Sequence, residues 1–301
     1  MKKRSWFYGQ RRIHAVIWPV DNPVGIIQIV HGMIEYAERY EEFARFANKA
    51  GFIVVGNDHA GHGKSVKTKD DYGKFPDEWE EILEDVHNLK IQIQAQYPNL
   101  PYVMLGHSMG SYIVRLCAAI FPDKPDAIIL TGTGQQAQAL TDAGIALAEF
   151  YRITKGPDYR SQLLETLTTG AFNNHFKPNR TNSDWLNRDE AEVDKYISDP
   201  NHQFRPTVNM YRGIYFFTKL ATKSKWMDQI PHNLPILIAS GSQDPVGDFG
   251  KGVTKFYAYL EDHGFTNVTI RLFNGDRHEI LHELNKEEVM QYLIDWINKV
   301  I

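Results

Sequence analysis

The chain has a single cysteine, Cys117, in 301 residues. One thiol excludes an intramolecular disulfide framework and any cysteine-built zinc or iron–sulfur centre. There is no basic excess either: 33 Lys and Arg face 37 Asp and Glu, a net charge of −4. Without surplus cations to displace counterions from phosphates, nucleic acid is not an expected partner. No apolar run approaches the ~18 residues of a membrane span. The opening MKKRSWFYGQRR is positive but lacks the ~7–15 apolar residues that follow in a signal peptide. Together these absences read as a soluble protein of a reducing compartment, the cytoplasm. What is present is ordinary for such a protein, with 43% hydrophobic and 23% charged residues.

Short apolar runs alternate with longer helical patterns. Residues 11–20 read as the second strand of a hairpin behind Tyr8-Gly9-Gln10. The runs GIIQIV (25–30), FIVVG (52–56), YVML (102–105), AIIL (127–130), ILIA (236–239) and VTIRLF (268–273) are nearly continuous. Strands covered on both faces look like this, and they belong to parallel sheets flanked by helices. Helical spacing of three and four marks 37–50, 78–95, 109–120 and 286–300. The predicted class is α/β, a mostly parallel, doubly wound sheet. From residue 134 to 231 no strand pattern appears, and a structureless loop of ~100 residues inside a compact domain is improbable. That stretch is expected to be a helical cap inserted between core segments 1–133 and 232–301, over the strands' carboxyl ends. Most of its aromatics, Phe150, Tyr151, Phe172, Phe176, Trp185, Tyr211, Tyr215, Phe216 and Phe217, are expected to hold the cap together. The acidic cluster Glu80, Glu81, Glu84 and Asp85 reads as a solvated helix face.

The strongest chemical signal is Gly106-His107-Ser108-Met109-Gly110, a G-x-S-x-G between strand YVML and the helix from 109. So tight a strand-to-helix turn strains its central residue and needs glycine two before and two after. It lifts the Ser108 hydroxyl off the sheet and aims the first free helix N–H, that of Met109, at any oxyanion beside it. A serine hydroxyl needs a base, and the base an orienting acid, in the chain order Ser, Asp or Glu, His. Asp244 follows strand ILIA and His278 follows VTIRLF, so three strands deliver three residues to one sheet edge. Asp248 and Asp276 are rival acids and His282 a rival base. His31-Gly32-Met33 ends the first sheet strand; the Met33 N–H is the expected second oxyanion donor, with His31 orienting the loop. Two other motifs compete. His278-Glu279-Ile280-Leu281-His282 matches the zinc pattern H-E-x-x-H but begins at a turn rather than within a helix. Gly61-His62-Gly63-Lys64-Ser65 ends like a phosphate loop but has Asp58 where the spacing needs glycine. A non-catalytic binding module is the third alternative and would show a broken triad.

The segments HGMIEYAERY (31–40), DHAGHGKS (58–65), GHSMGS (106–111) and SGSQDPVG (240–247), in this order, resemble the monoacylglycerol lipase and lysophospholipase branch of the α/β-hydrolases, the serine aminopeptidase S33 type. The stretches SDWLNRDE (183–190) and 193–196 resemble bacterial lysophospholipases. The resemblance implies Ser108 as nucleophile, Asp244 as acid, His278 as base, and Met33 and Met109 as oxyanion donors. Gly32, Glu35 and His107 are the expected substrate-binding positions. The family carries histidine after the glutamate, where this chain has Tyr36. The implied activity is hydrolysis of lipid-type carboxylic esters, monoacylglycerol or lysophospholipid, through an acyl-enzyme. A generic short-chain carboxylesterase, a thioesterase and a peptidase are the alternatives on the same fold. No metal or organic cofactor is expected, the cap is expected to touch membrane surfaces transiently, and oligomeric state is left open.

Overall fold

Strands form where the apolar runs are continuous. A computed structural model describes residues 2–301, apart from the side chains of Ser224 and Trp226. The strands are β1 (Arg4–Tyr8), β2 (Ile13–Trp18), β3 (Gly25–Val30), β4 (Phe52–Asn57), β5 (Tyr102–His107), β6 (Ala127–Thr131), β7 (Ile236–Gly241) and β8 (Val268–Phe273). Every residue of β2 through β7 is buried, as expected of strands covered on both faces. They form one sheet in the order β1-β2-β4-β3-β5-β6-β7-β8. The β1–β2 hairpin pairs antiparallel to β4, and all other neighbours run parallel. β3 lies between β4 and β5, pairing Ile27 with Val54 on one side and Val103 on the other. The winding therefore reverses between β3 and β5. A crevice opens at such a switch point, at the carboxyl ends of the strands.

Helices cover both faces. α1 (Glu41–Lys49) and the carboxyl-terminal helix pack Phe43, Ala47, Leu293 and Ile297 against Ile29, Val54 and Leu105. On the other face, α2 (Glu80–Gln96) and α3 (Met109–Ile120) bring Ile82, Val86, Ile113 and Leu116 onto Ile26, Met104 and Ile128. Between β6 and β7 lie α4 (Gln138–Lys155), α5 (Gln162–Glu165), α6 (Glu190–Ser198), α7 (Val208–Ala221) and α8 (Ser224–Met227), with no strand among the described residues. α9 (Lys251–Asp262) joins β7 to β8, and α10 (Lys286–Val300) closes the chain.

Three details depart from the sequence reading. A 3₁₀ turn, Ala37–Tyr40, leads into α1 in place of one continuous helix from 37. The helix α9 was not anticipated, although Val253, Phe256 and Leu260 form its buried stripe at spacings of three and four. Asp85 is not solvated: it is buried, and Arg11 donates to both its carboxylate oxygens at 2.8 and 3.1 Å. The insertion's aromatics divide: Phe150, Tyr151, Phe172, Trp185, Tyr211 and Tyr215 pack on one another or on other residues of the insertion, and some also face beyond it. Phe216 and Phe217 pack on Trp79 of the core side, Phe150 is 58% exposed, and Phe172, Trp185 and Tyr215 line a cavity described below.

The turn from β5 into α3 shows why glycine flanks Ser108. A Cβ on Gly110 would land inside the carbonyl oxygen of Val30, and one on Gly106 inside the Gly110 carbonyl. Helix and sheet touch backbone to backbone there. Gly110→Ala is expected to lower stability by about 2 kcal/mol or more, because neither backbone can retreat from a packed core. A urea midpoint unchanged from the parent would contradict that close approach.

Candidate active site

β3, β5, β7 and β8 run parallel, so the loops after them meet at one edge. Ser108 follows β5 directly, at φ 52° and ψ −120°. A left-handed conformation at a non-glycine residue is strained and persists only where its surroundings hold it. Here the Ser108 N–H donates to the Thr131 carbonyl at 2.9 Å, and its own carbonyl accepts from Ser111 N–H at 2.9 Å and Ser111 Oγ at 2.6 Å. The loop after β3 is strained too, with Ile34 at φ 57°. Tyr196 of α6 donates its hydroxyl to the Ile34 carbonyl at 3.2 Å. Gly32 lies against the serine: a Cβ there would sit 3.0 Å from Ser108 Cβ.

Asp244 is wholly buried beyond β7, and both its oxygens lie 3.0 Å from His278 Nδ1. It also accepts the Val246 N–H at 2.9 Å. With Nδ1 held by the carboxylate, Nε2 is the ring nitrogen available to the cavity. Burial alone would push the His278 pKa down, but the Asp244 charge and hydrogen bond outweigh it and hold the imidazole above its usual 6.5. The rivals have other surroundings, although Asp248 also lines the cavity described below. His282 Nε2 lies 3.3 Å from the Arg39 carbonyl, Asp248 is exposed, and Asp276 pairs with Arg188. His278 and His282 thus have separate partners, and the second falls in a 3₁₀ turn, Ile280–His282, rather than on the helix the zinc pattern requires. Asp58 fills the would-be phosphate loop itself, accepting Ala37 N–H at 2.9 Å and Lys64 N–H at 2.8 Å.

The residues around Ser108 are tied down by polar contacts. His31 Nε2 accepts the His59 N–H at 3.0 Å, and its Nδ1 lies 2.7 Å from the Gly32 carbonyl. His107 lies beside His278 with the rings tilted by 49° and centroids 4.7 Å apart, and its Nδ1 meets Thr131 Oγ1 at 3.0 Å. Burial lowers its pKa, so it stays neutral. The buried Glu35 accepts the Gly32 N–H and the Tyr40 hydroxyl, the latter at 3.1 Å. Arg39 lies between two carboxylates: it binds Glu279 through two nitrogens at 2.6 and 2.9 Å and reaches Glu35 at only 3.3 Å. The proton accordingly favours Glu35. Burial pushes its pKa up to about 7, with Arg39 opposing and Glu279 reinforcing. For Glu279, Arg39 overcomes burial and holds the carboxyl well below its usual range.

Gly32, Met33, Glu35, His107, Ser108, Met109 and His278 all line one cavity of about 1320 Å³. Asp244 stands behind His278, outside the lining. Leu140, Leu147, Ile214 and Tyr215 of α4 and α7 form an apolar wall opposite, and Trp185 sits against the His278 ring with centroids 4.9 Å apart. Sequence reasoning missed the pairing of Arg39 with Glu279 and Glu35 and the place of Trp185 beside His278. The zinc-motif match drew attention to Glu279 for the wrong reason.

Residues 21–285 match the family model described as serine aminopeptidase, S33. The chain belongs to this family. A monoglyceride lipase homolog of Monkeypox virus is 29% identical, over 95% of this chain and 94% of the relative. The monoacylglycerol lipase of Mycolicibacterium smegmatis (strain ATCC 700084 / mc(2)155) is 27% identical, over 96% and 93%. Among solved structures, a highly thermostable carboxyl esterase from Bacillus coagulans, in complex with glycerol, superposes with a TM-score of 0.92 at 28% identity, covering 100% of this chain and 99% of that one. The fold is that of the α/β-hydrolases.

The Arg39 cluster generates a prediction. Arg39→Ala removes the one cation between two buried carboxylates, which costs about 3–5 kcal/mol when a buried pair is broken. The orphaned Glu35 and Glu279 then have folded pKa values raised above their unfolded ones. Their protonated forms support the fold at low pH, and that support is lost as pH rises through the raised values. The stability loss should be larger at pH 8 than at pH 5. A loss of equal size at both, by denaturant melts, would contradict the arrangement.

Proposed function

We propose that the protein hydrolyses lipid-type carboxylic esters, of the monoacylglycerol or lysophospholipid kind, through an acyl-enzyme on Ser108. The observation that carries the reading is His278, with Nδ1 on both oxygens of buried Asp244 and its ring in the cavity that Ser108 also lines. In this reading His278 Nε2 takes the Ser108 proton as the oxygen attacks the ester carbonyl. The N–H groups of Met33 and Met109 receive the oxyanion, a pair whose single members are worth about 2.7–4 kcal/mol each. Collapse of the adduct breaks the bond to the alkoxy oxygen, and His278 returns the proton to the departing alcohol. Water then repeats the sequence on the acyl ester and regenerates Ser108. Asp244 accepts from Nδ1–H and so fixes the tautomer that leaves Nε2 unprotonated.

Residues 134–231 serve as the cap in this reading, and the wall built by Leu140, Leu147 and Ile214 holds the acyl chain. The cavity exceeds the ~300–1,000 Å³ usual for compact ligands, which favours a long flexible chain. Leu140 and Leu167 line the cavity and yet are 67% and 60% exposed. Such an apolar rim suits transient contact with a lipid surface, from which the substrate would be drawn. No helix among the described residues is long and apolar enough to cross a membrane. The buried free thiol of Cys117 fits a cytoplasmic setting. The relatives named lipase and esterase support hydrolysis of esters, and chain length separates the two.

Nitrophenyl esters and monoacylglycerols of increasing acyl length are expected to give kcat/KM rising with length, against a short-chain optimum for a generic carboxylesterase. Ser108→Ala should fold normally and lose about a millionfold in kcat; retained turnover would move the nucleophile elsewhere. Asp244→Asn should cost about 10⁴-fold. The active form needs neutral His278, so kcat/KM should rise with pH through a midpoint above 6.5. In Asp244→Asn that midpoint should fall, because only the smaller influences of Glu279 and Glu35 then oppose burial. An unmoved midpoint would show that another group titrates.

A further inference from the structure

The loop that carries His278 is held by the insertion. Residues 184–188 of the inserted segment lie along it and bond to it at several points. Glu279 N–H donates to the Leu186 carbonyl at 2.9 Å, and Arg277 donates from Nη1 to the Asp184 carbonyl and, at 3.1 Å, to that of Asn187. The main link is Arg188. Its Nη2 meets Asp276 Oδ1 and, at 3.1 Å, Asn285 Oδ1; its Nε meets Glu283 Oε2 at 3.0 Å, and its own N–H meets Glu283 Oε1 at 3.0 Å. Both carboxylates are fully buried. Glu283 accepts the Arg277 N–H as well, at 2.9 Å, one residue before His278. Asp276 lies two residues before His278, and its carbonyl takes the Gln243 N–H at 2.9 Å, one residue before Asp244. Gly275 leaves room for the cation: a Cβ there would stand 2.9 Å from Arg188 Nη1.

We infer that Arg188 is a positioning residue, a cation supplied by the insertion that clamps Asp276 and Glu283 and thereby sets the His278 loop against Asp244 and Ser108. Two buried carboxylates flank His278 in sequence, and like charges held without a partner push apart or take up protons. A planar guanidinium can meet both at once through separate edges; an ammonium is a point donor without that fork. The clamp makes the insertion part of the catalytic scaffold at this point, whatever the rest of it does over the cavity. Arg188 is absent from the cavity lining, so it acts on the reaction through His278 and leaves substrate contact unchanged.

The inference rests on His278 being the base, and the test separates the two. The parent, Arg188→Ala and Arg188→Lys are titrated with a fluorophosphonate to count reactive serines, then assayed on a short-chain nitrophenyl ester. Misplacing a reacting group by a fraction of a bond length is costly, so kcat per titrated site should fall about tenfold or more in Arg188→Ala. Arg188→Lys should fall less, and KM should hold in both. Added guanidinium should restore part of the Arg188→Ala rate by filling the vacated place, which a change in stability alone would not allow. Should Ser108→Ala still be labelled and turn over, the catalytic reading itself fails. Should Ser108→Ala be inert while the Arg188 variants keep kcat per titrated site within about twofold of the parent, a difference under 0.5 kcal/mol, the inference is overturned. A rise in KM at constant kcat also overturns it. If Arg188→Ala does not fold, Arg188→Lys decides on the same criterion.

Discussion

A carboxylate with no exposed surface needs a counter-charge or a set of donors, and Asp244 has one imidazole with both its oxygens 3.0 Å from Nδ1. That interaction orders the site. It fixes the His278 ring through Nδ1, and it raises a pKa that burial by itself would lower. The fold makes the interaction possible by bringing β7 and β8 side by side in parallel, so that two loops from distant parts of the sequence start from one edge. The strained turn at Ser108 depends on the same edge, because β5 delivers it there and α3 packs its Gly110 onto the β3 backbone.

Burying this much charge beside an apolar cavity needs cations placed with equal care. Arg39 binds Glu279 through two nitrogens and leaves Glu35 with the weaker contact. Arg188 does the same work on the far side, between Asp276 and Glu283. The stronger contacts join distant parts of the chain: Arg39 and Glu279 are separated by 240 residues, Arg188 and Glu283 by 95. These pairs tie the loop after β8 to the loop after β3 and to the insertion. Their worth lies in fixing positions more than in net stability.

The sheet is legible in the sequence because burial on both faces leaves a continuous apolar run, a signal local enough to read. β3, β8, α3 and α10 fall at the expected residues. The turn around Ser108 is legible for a similar reason: its glycines, strand and helix are contiguous. That Asp244 and His278 share an edge follows from parallel strands and chain order alone. The choice of Asp244 over Asp248 and Asp276 as the partner of His278 is not legible in the same way, since each sits within a few residues of a strand end and only the tertiary placement shows which of them meets the imidazole. Asp85 is misread because Arg11, its partner, lies in the hairpin 74 residues away. Arg39 and Arg188 escape notice because an ion pair between distant segments leaves no periodicity. For Phe216 and Phe217 composition says that they bury, while only the fold says that they do so against Trp79 of the core.

The central claim is geometric: the groups after β3, β5, β7 and β8 converge on one reacting carbon. The most direct measurement is a crystal structure of the protein inactivated by an alkyl fluorophosphonate, whose phosphorus mimics that carbon in its tetrahedral state. The account predicts a single covalent bond to Ser108 Oγ. One phosphoryl oxygen should lie within hydrogen-bond reach of the Met33 and Met109 N–H groups, His278 Nε2 should sit beside the bonded oxygen, and the alkyl chain should run along Leu140, Leu147 and Ile214. An adduct on another residue, or a phosphoryl oxygen turned away from both N–H groups with His278 out of reach, would contradict it.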